Sequence, residues 1–353
     1  MTDFGLVDDP SRWQAGFERR LRAAYGSAGH PAAAVERRIE EVRAGAARRT
    51  VAELTADGGG TVGFVAVSLD EDEPGPSLTG RLVDLWIDPA HRGQGHGEAA
   101  RTWAEGRCAA AGAARLTVQL TGADPLFAHY SVRGQTRLRH LAGPDRDVTP
   151  VREAAPVREA APVREAAPVR EAAPVREAAP VREAGPVRRA GAALTARRMT
   201  ADEYGPWLVA GKDEYVADIV RSGSLTPGEA RAKSDRDFAD LLPAGLATPD
   251  HNIVVLEAAG APVGTLWLKH HHLPGVTFGF SLEIDESRRG KGFGHASMAV
   301  AESETLGAGD SALMFNVFGG NTVAMGLYDA SGYRVILEHR YTALPRATPG
   351  AAL

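Results

Sequence analysis

The stretch IDESRRGKGFGHAS, Ile284 to Ser297, decides how this chain is read. A strand-like run, VTFGFSLEI, leads into it, and an apolar helical pattern, HASMAVAESETLG, leaves it. Between them stand Asp285, two arginines and three glycines at alternating positions, Gly290, Gly292 and Gly294. The design recurs as IDPAHRGQGHGEAA, Ile87 to Ala100, with Gly93, Gly95 and Gly97. A strand that turns through glycines into a helix brings unpaired helix N–H groups and partial positive charge to one point. Glycine there permits positive φ and keeps Cβ atoms clear of an approaching anion. Arg92 and Arg289 add a planar fork that matches phosphate oxygens. Each loop therefore reads as a cradle for a pyrophosphate.

Two other phosphate-binding loops do not fit. A dinucleotide fingerprint needs a glycine one residue later, where Glu98 and His295 stand. A Walker A loop ends in Gly-Lys-Ser/Thr, which neither copy has.

Outward from the loops, the two halves read alike. In the first, PSRWQAGFERRLRAAYG and PAAAVERRIEEVRAG are amphipathic helices. Strands TVAELTA, TVGFVAVSL and TGRLVDLWID lead to the glycine turn and the helix GEAARTWAEGRCAAAG. Strand ARLTVQL, a short helix near PLFAHYS and a strand TRLRHLAG complete this half. In the second half, ALTARRMT opens as a strand, and ADEYGPWLVAG and TPGEARAKSDRDFADLL are helices. Strands NIVVLEA, PVGTLWLKH and VTFGFSLEID reach the second glycine turn and its helix. Strand ALMFNVF, helix NTVAMGLYDASG and strands YRVILEH and RYTALP follow. This order predicts an α+β protein of two similar domains, each a mixed, mostly antiparallel sheet flanked by helices.

The boundary between them is a hexapeptide repeat, PVREAA, running from Pro150 to Gly191. Its prolines remove backbone donors and bias their predecessors away from helix. A β-helix of hexapeptides fits poorly with an Arg-Glu pair in every repeat, so a semi-rigid tether is expected. Expected domains are 1–145 and 193–348, with the linker at 146–192.

The chain has 353 residues and a formal net charge of −5, with no basic stripe outside the repeat, which argues against nucleic acid as a partner. Its single cysteine, Cys108, lies in a helical run and excludes an internal disulfide. The acidic start lacks an apolar signal core, and no apolar run approaches a membrane span, so a cytoplasmic protein without a membrane partner is expected.

The pattern Arg-x-x-Gly-x-Gly, carried by Arg92, Gly95 and Gly97 and again by Arg289, Gly292 and Gly294, resembles the acyl-CoA signature of the GNAT superfamily of N-acetyltransferases. In LMFNVFGGNTVAMGLYDASGYRV, residues Asn321, Ala324, Tyr328, Gly332 and Tyr333 fall where the family's next block has them. The resemblance implies acetyl-CoA as co-substrate and no metal. It places the cofactor at Ile284, Arg289, Gly290, Lys291, Gly292, Phe293, Gly294 and Asn321 in the second half. In the first half the corresponding residues are Ile87, Arg92, Gly93, Gln94, Gly95, His96 and Gly97. There Tyr130 and Gly134 keep the spacing of Tyr328 and Gly332, but Asp124 or Ala123 stands in place of the asparagine. The C-terminal domain is therefore expected to be the catalyst.

Acyl transfer to an amine requires proton removal from the nucleophile and stabilisation of the departing thiolate. By family spacing Tyr328 is the expected general acid, with Tyr130 its counterpart. Glu283, alternating to the face opposite Leu282 and Ile284, is the candidate base, and Asp84 lies two residues from the equivalent place. In KHHHLPG, Lys269 to Gly275, three consecutive histidines on a strand cannot share a metal, and a hairpin end with solvated rings is expected. Trp86 and Trp267 are expected in the core or in a cleft wall. The favoured function is acetyl transfer from acetyl-CoA to a primary amine of a small molecule or peptide. An alternative is an acyl-CoA-binding regulatory or sensor protein with one or both domains non-catalytic. A third makes the tandem one single-substrate enzyme, a reading that rests on the duplication, whereas the long repeat argues for independent domains.

Overall fold

The structure, a computed structural model, describes residues 2–9, 11–45, 48–57, 59–70, 78–141, 194–221 and 225–345. The repeat, and with it the linker expected at 146–192, lies outside the described residues. The N-terminal half runs β1 (Thr2–Leu6), α1 (Ser11–Ala28), α2 (Ala32–Ala44), β2 (Arg49–Ala56), β3 (Thr61–Asp70), β4 (Thr79–Ile87), α3 (His96–Ala110), β5 (Arg115–Leu120) and β6 (Ser131–His140). The C-terminal half runs β7 (Thr195–Arg198), α4 (Ala201–Arg221), α5 (Pro227–Leu241), β8 (His251–Ala258), β9 (Ala261–Leu273), β10 (Val276–Ile284), α6 (Phe293–Gly307), β11 (Ala312–Phe318), α7 (Thr322–Ala330) and β12 (Arg334–Ala343).

The expected α+β order holds, with four differences. A first strand, β1, pairs antiparallel with β2, Phe4 opposite Leu54. Helix α4 extends well past Gly211. The helix near PLFAHYS is only a three-residue 3-10 turn, Pro125–Phe127. YRVILEH and RYTALP form one strand, β12, with register shifts that absorb the irregularity.

All twelve strands join one sheet, ordered β1-β2-β3-β4-β5-β12-β6-β11-β10-β9-β8-β7. The last strand of each half lies beside the other half's strands. β12 pairs antiparallel with β5, Ala343 opposite Arg115, and β6 pairs antiparallel with β11, Phe318 opposite Gly134. β6 and β12 also pair with each other at the centre. The expectation of independent domains is thereby corrected, because each half's sheet is completed by a strand of the other. The core crosses the junction as well: Leu138 of β6 packs with Val276, Phe278, Met314 and Ile336, and Ala33 and Ala34 of α2 pack against them.

Within each half, the helix after the glycine turn lies close on the sheet. In α3, Ala100, Ala104 and Cys108, at helical spacing, are fully buried. A Cβ at Gly80 of β4 would stand 2.6 Å from the Cys108 sulfur, so two small residues set the approach of helix to strand. Burial also pushes the Cys108 thiol up to about 11, which keeps it protonated and unreactive at neutral pH. Among the described residues, no helix is long and apolar enough to cross a membrane.

Candidate acyl-transfer site

The two glycine loops have the same backbone. Gly290 and Gly292 hold φ values of 74° and 82°, and Gly93 and Gly95 values of 76° and 86°, a region that a Cβ would strain. Gly292 and Gly95 are the N-caps of α6 and α3, and neither helix start has a side-chain cap. By contrast, Thr226 and Glu229 close a capping box on α5. The first N–H groups of α6 and α3 thus have neither an intrahelical nor a side-chain acceptor, which suits the diphosphate of a CoA.

The third glycine of each loop differs from the sequence reading. Gly294 and Gly97 have ordinary φ; a Cβ there would contact Leu327 at 3.4 Å and Leu126 at 3.7 Å. They pack the helix start and do not shape the turn. The arginines also have a further role. Arg289 Nε donates to the Ile284 carbonyl at 2.9 Å, and Arg92 Nε donates to the Ile87 carbonyl at 3.2 Å. Each fork ties its loop back to the strand end, and its outer nitrogens make no hydrogen bond among the described residues. Lys291 and Gln94 reach back in the same way, to the carbonyls of Ser287 at 3.0 Å and Ala90 at 3.4 Å. The remaining predicted loop residues part company: Phe293 is half-buried, whereas His96 is buried beneath β1, its Nδ1 2.9 Å from Thr2 Oγ1.

Beside the α6 loop the sheet opens. β10 and β11 pair in parallel from Val276 opposite Ala312 only as far as Gly279 opposite Phe315. A bulge at Phe280, where the register against β9 slips, turns β10 away, and the facing strand edges beyond it lose their ladder partners. A cleft of about 600 Å³ occupies the fork. Tyr328, Glu283 and Asn321, singled out from the sequence, all line it.

Tyr328 comes from α7, is 6% exposed, and stacks on Phe315 with ring centroids 5.1 Å apart. Its hydroxyl makes no hydrogen bond among the described residues. Burial holds its phenol above the usual range, and the nearby Arg137 guanidinium pulls it partly back. Asn321 caps α7, its Oδ1 accepting from the Ala324 N–H at 3.0 Å, so it serves the local backbone. Glu283 is exposed on the cleft side of β10, while Leu282 and Ile284 pack against the core.

The first half repeats the fork but lines it with a bulky, paired set of side chains. β4 and β5 separate after Leu82 and Val118, with a bulge at Val83. Trp86 stands at the position of Glu283, and the Arg20 guanidinium lies 4.9 Å above its ring. Asp84 accepts from Trp13 Nε1 at 2.8 Å and from Arg20 at 2.5 Å. Burial raises the Asp84 carboxyl, and the Arg20 charge opposes that shift. Tyr130 differs from Tyr328 as well. No counterpart of α7 forms there, and the Tyr130 hydroxyl donates to Glu105 Oε1 at 2.6 Å. Asp124 still caps the short turn, accepting from the Leu126 N–H at 2.9 Å.

The histidine run ends the β9–β10 hairpin as expected, with His271 exposed, but its rings are engaged by neighbours and not simply solvated. His270 Nδ1 and Thr277 Oγ1 lie 3.0 Å apart, Thr277 donates to buried Asp310 at 2.7 Å, and His271 Nδ1 is 3.0 Å from the same carboxylate. His272 packs against the Phe278 ring. Trp267 is a buried cleft-wall residue, as expected. Sequence reasoning missed the opposite wall: Glu214, Tyr215 and Asp218 of α4 and Asp237 and Asp240 of α5. Their helical spacing marks them as one face, yet only the folded chain sets that face over the fork.

Comparison with known proteins agrees with this geometry. The Acetyltransferase (GNAT) family matches residues 14–129 and again 220–333. The uncharacterized N-acetyltransferase YycN of Bacillus subtilis (strain 168) is 30% identical over 139 residues, 38% of this chain and 89% of that protein. YdgE, from the same organism and likewise an uncharacterized N-acetyltransferase, is 26% identical over 144 residues, 40% of this chain and 92% of its own. Among solved structures, the tandem GNAT protein from the clavulanic acid biosynthesis pathway aligns over 97% of each chain at 16% identity with a TM-score of 0.38. A GCN5-related N-acetyltransferase from Sphaerobacter thermophilus aligns over 96% of this chain and 94% of its own, at 16% identity and a TM-score of 0.44. With more than half of the chain matched, once in each half, the protein belongs to the GNAT family of acetyltransferases and is an enzyme of that type.

Proposed function

We propose that the protein moves an acetyl group from acetyl-CoA to a primary amine of a small molecule or peptide, and that the C-terminal half is the catalyst. The carrying observation is that Tyr328 and Glu283 line one cleft beside the uncapped start of α6, whereas in the first half Trp86 stands at the position of Glu283, Asp84 is held by Trp13 and Arg20, and the Tyr130 hydroxyl is taken up by Glu105. The α6 N–H groups and the outer nitrogens of Arg289 bind the diphosphate. The unpaired strand edges offer donors to the acyl oxygen, where negative charge develops.

Glu283 takes the proton from the bound ammonium, directly or through water. The amine then attacks the acyl carbon, the C–N bond forms and the C–S bond breaks. Tyr328 donates its hydrogen bond, and then its proton, to the departing sulfur; Glu283, its first proton released to solvent, takes the surplus proton of the new amide, and that proton returns through water to the Tyr328 phenolate, so that one proton is released overall. Burial keeps the Tyr328 phenol protonated at neutral pH, ready to donate.

A second reading applies to the first half. It keeps an uncapped helix start and positive-φ glycines, while its tyrosine and its fork carboxylate are already engaged by protein partners, which favours acyl-CoA binding there without turnover. Tyr328→Phe tests the main reading. In a thiol-release assay over a panel of amines, turnover falls by about 10²-fold or more, the usual contribution of a positioned acid, with CoA affinity retained. Wild-type turnover by the variant would remove Tyr328 from the mechanism.

A further inference from the structure

The cleft has an unbalanced lining. Five carboxylates face it, from Glu214, Asp218, Asp237, Asp240 and Glu283, and its lining includes no lysine, arginine or histidine. Two of the five are neutralised from outside: Asp218 by Arg221, and Asp237 by Lys233 at 2.8 Å, with the Tyr215 hydroxyl at 2.9 Å. Glu214, Asp240 and Glu283 form no ion pair among the described residues. Glu214 and Asp218 stand one turn apart on the same face of α4. Burial, and after it the charges of Glu283 and Asp218, push the Glu214 carboxyl up, so these groups share one field. Arg289 and Arg221 offset that field only in part.

The remaining walls are aromatic, with Trp207, Trp267, Phe280 and Phe318 among them. Such walls pack against methylene groups and attract an ammonium to their faces. The cleft is independently marked as a ligand site, because Tyr328, which lines it, is nine-tenths buried and its hydroxyl finds no partner among the described residues. An acceptor with a single charge would meet one carboxylate and leave the others repelling across the cleft.

We propose that the acceptor is a slender alkyl amine with at least two ammonium groups, one reacting beside Glu283 and Tyr328 and the other held by the carboxylates of α4 and α5. This rests on the acetyl-transfer reading above. Binding exchanges carboxylate repulsion for attraction, and the carbon chain between the charges lies along the aromatic walls.

The test compares n-butylamine, 1,4-diaminobutane and spermidine on the full chain. Thiol release from acetyl-CoA gives KM, and calorimetry without acetyl-CoA gives amine affinity. The diamine and triamine should show KM and Kd values about tenfold below those of n-butylamine, shrinking as salt is added. Glu214→Gln should cut that ratio to about threefold or less, and Asp240→Asn provides a second variant on a different helix. Equal values for mono- and diamine, or a ratio untouched by both substitutions, overturns the proposal. Charge-selective amine binding with no thiol release from any amine would sustain the cation-binding cleft and sink the acetyl-transfer reading instead.

Discussion

Gly279 sits where the parallel strands part, and its replacement by alanine tests whether the fork positions Tyr328, the proposed general acid. A Cβ at this position would lie 1.9, 2.4 and 2.7 Å from three ring carbons of Phe315. Ordinary carbon contacts begin near ~3.5 Å, so the ring must retreat by about 1.5 Å. It has nowhere to go. Phe315 is 1% exposed, stacked on Tyr328 and set edge-on to Tyr333 with centroids 5.8 Å apart. Overpacking of this kind costs about 2–3 kcal/mol. Because Tyr328 shares the stack, the displaced ring carries the phenol with it, and turnover should fall by about tenfold or more. Urea unfolding of the full chain measures the first effect and thiol release the second. Phe315→Leu in the Gly279→Ala background removes the ring atoms that clash, so a double-mutant cycle should show at least about 1 kcal/mol of favourable coupling. Wild-type stability of Gly279→Ala, or strict additivity in the cycle, would refute the packing argument.

Two further outcomes follow from the geometry. Arg289→Ala should weaken CoA binding by about 1–3 kcal/mol and lower kcat/KM with it, whereas Arg92→Ala should leave kcat/KM within about twofold; equal losses from both would contradict the division of labour between the halves. His251 Nδ1 accepts from Trp267 Nε1 at 2.9 Å, which requires a neutral ring, and burial, followed by the Lys269 charge, lowers the imidazole to about 4. Below its ordinary value near 6.5 the unfolded chain takes up a proton that the folded chain refuses. Stability present at neutral pH is therefore lost as pH falls from about 6.5 to about 4, by about 2–3 kcal/mol for this residue. Asn at 251 can accept the same bond without titrating, so urea midpoints for His251→Asn at pH 7 and pH 5 should lie closer together than those of the parent chain, and an unchanged gap would reject His251 as a source.

The glycine loops were legible because their chemistry is local. Positive φ at Gly290 and Gly292, an uncapped helix start and an arginine within reach of the strand's last carbonyl all lie within eleven residues of chain, Ile284 to Gly294. Asn321 entered through the family resemblance as a cofactor residue, and its part as the cap of α7 emerged only in the folded chain. Tyr130 shows where spacing misleads. It keeps its distance from Gly134, but the chain reaches it from Asp124 one residue sooner than it reaches Tyr328 from Asn321. The lost residue replaces a nine-residue helix with a three-residue turn and delivers the hydroxyl to Glu105. The acidic wall of α4 and α5 was not legible, because a carboxylate face of a helix reads as solvated until a second element covers it. Strand exchange was equally hidden, since β6 and β12 carry the same local pattern and the choice of partner is made by the rest of the sheet.

That exchange gives the first half a part in shaping the cleft of the second. Arg137 belongs to β6, yet it is 4% exposed beneath α7, where it pairs with Asp329 and donates to the Tyr333 carbonyl at 3.4 Å. Its other nitrogens donate to the side-chain Oε1 of Gln135 at 2.7 and 3.0 Å. A buried guanidinium so bound fixes the end of the helix that carries Tyr328, and its charge opposes the effect of burial on that phenol. The cleft edge depends on the same strand. Phe318 lies opposite Gly134, Gly319 N–H donates to the Arg133 carbonyl at 2.7 Å, and a Cβ at Gly319 would fall 1.8 Å from the Val132 carbonyl. The backbones meet there too closely for any side chain. The rim of the cleft is thus built against a strand from the other half, and the geometry that presents Tyr328 to the cleft belongs to both halves of the chain.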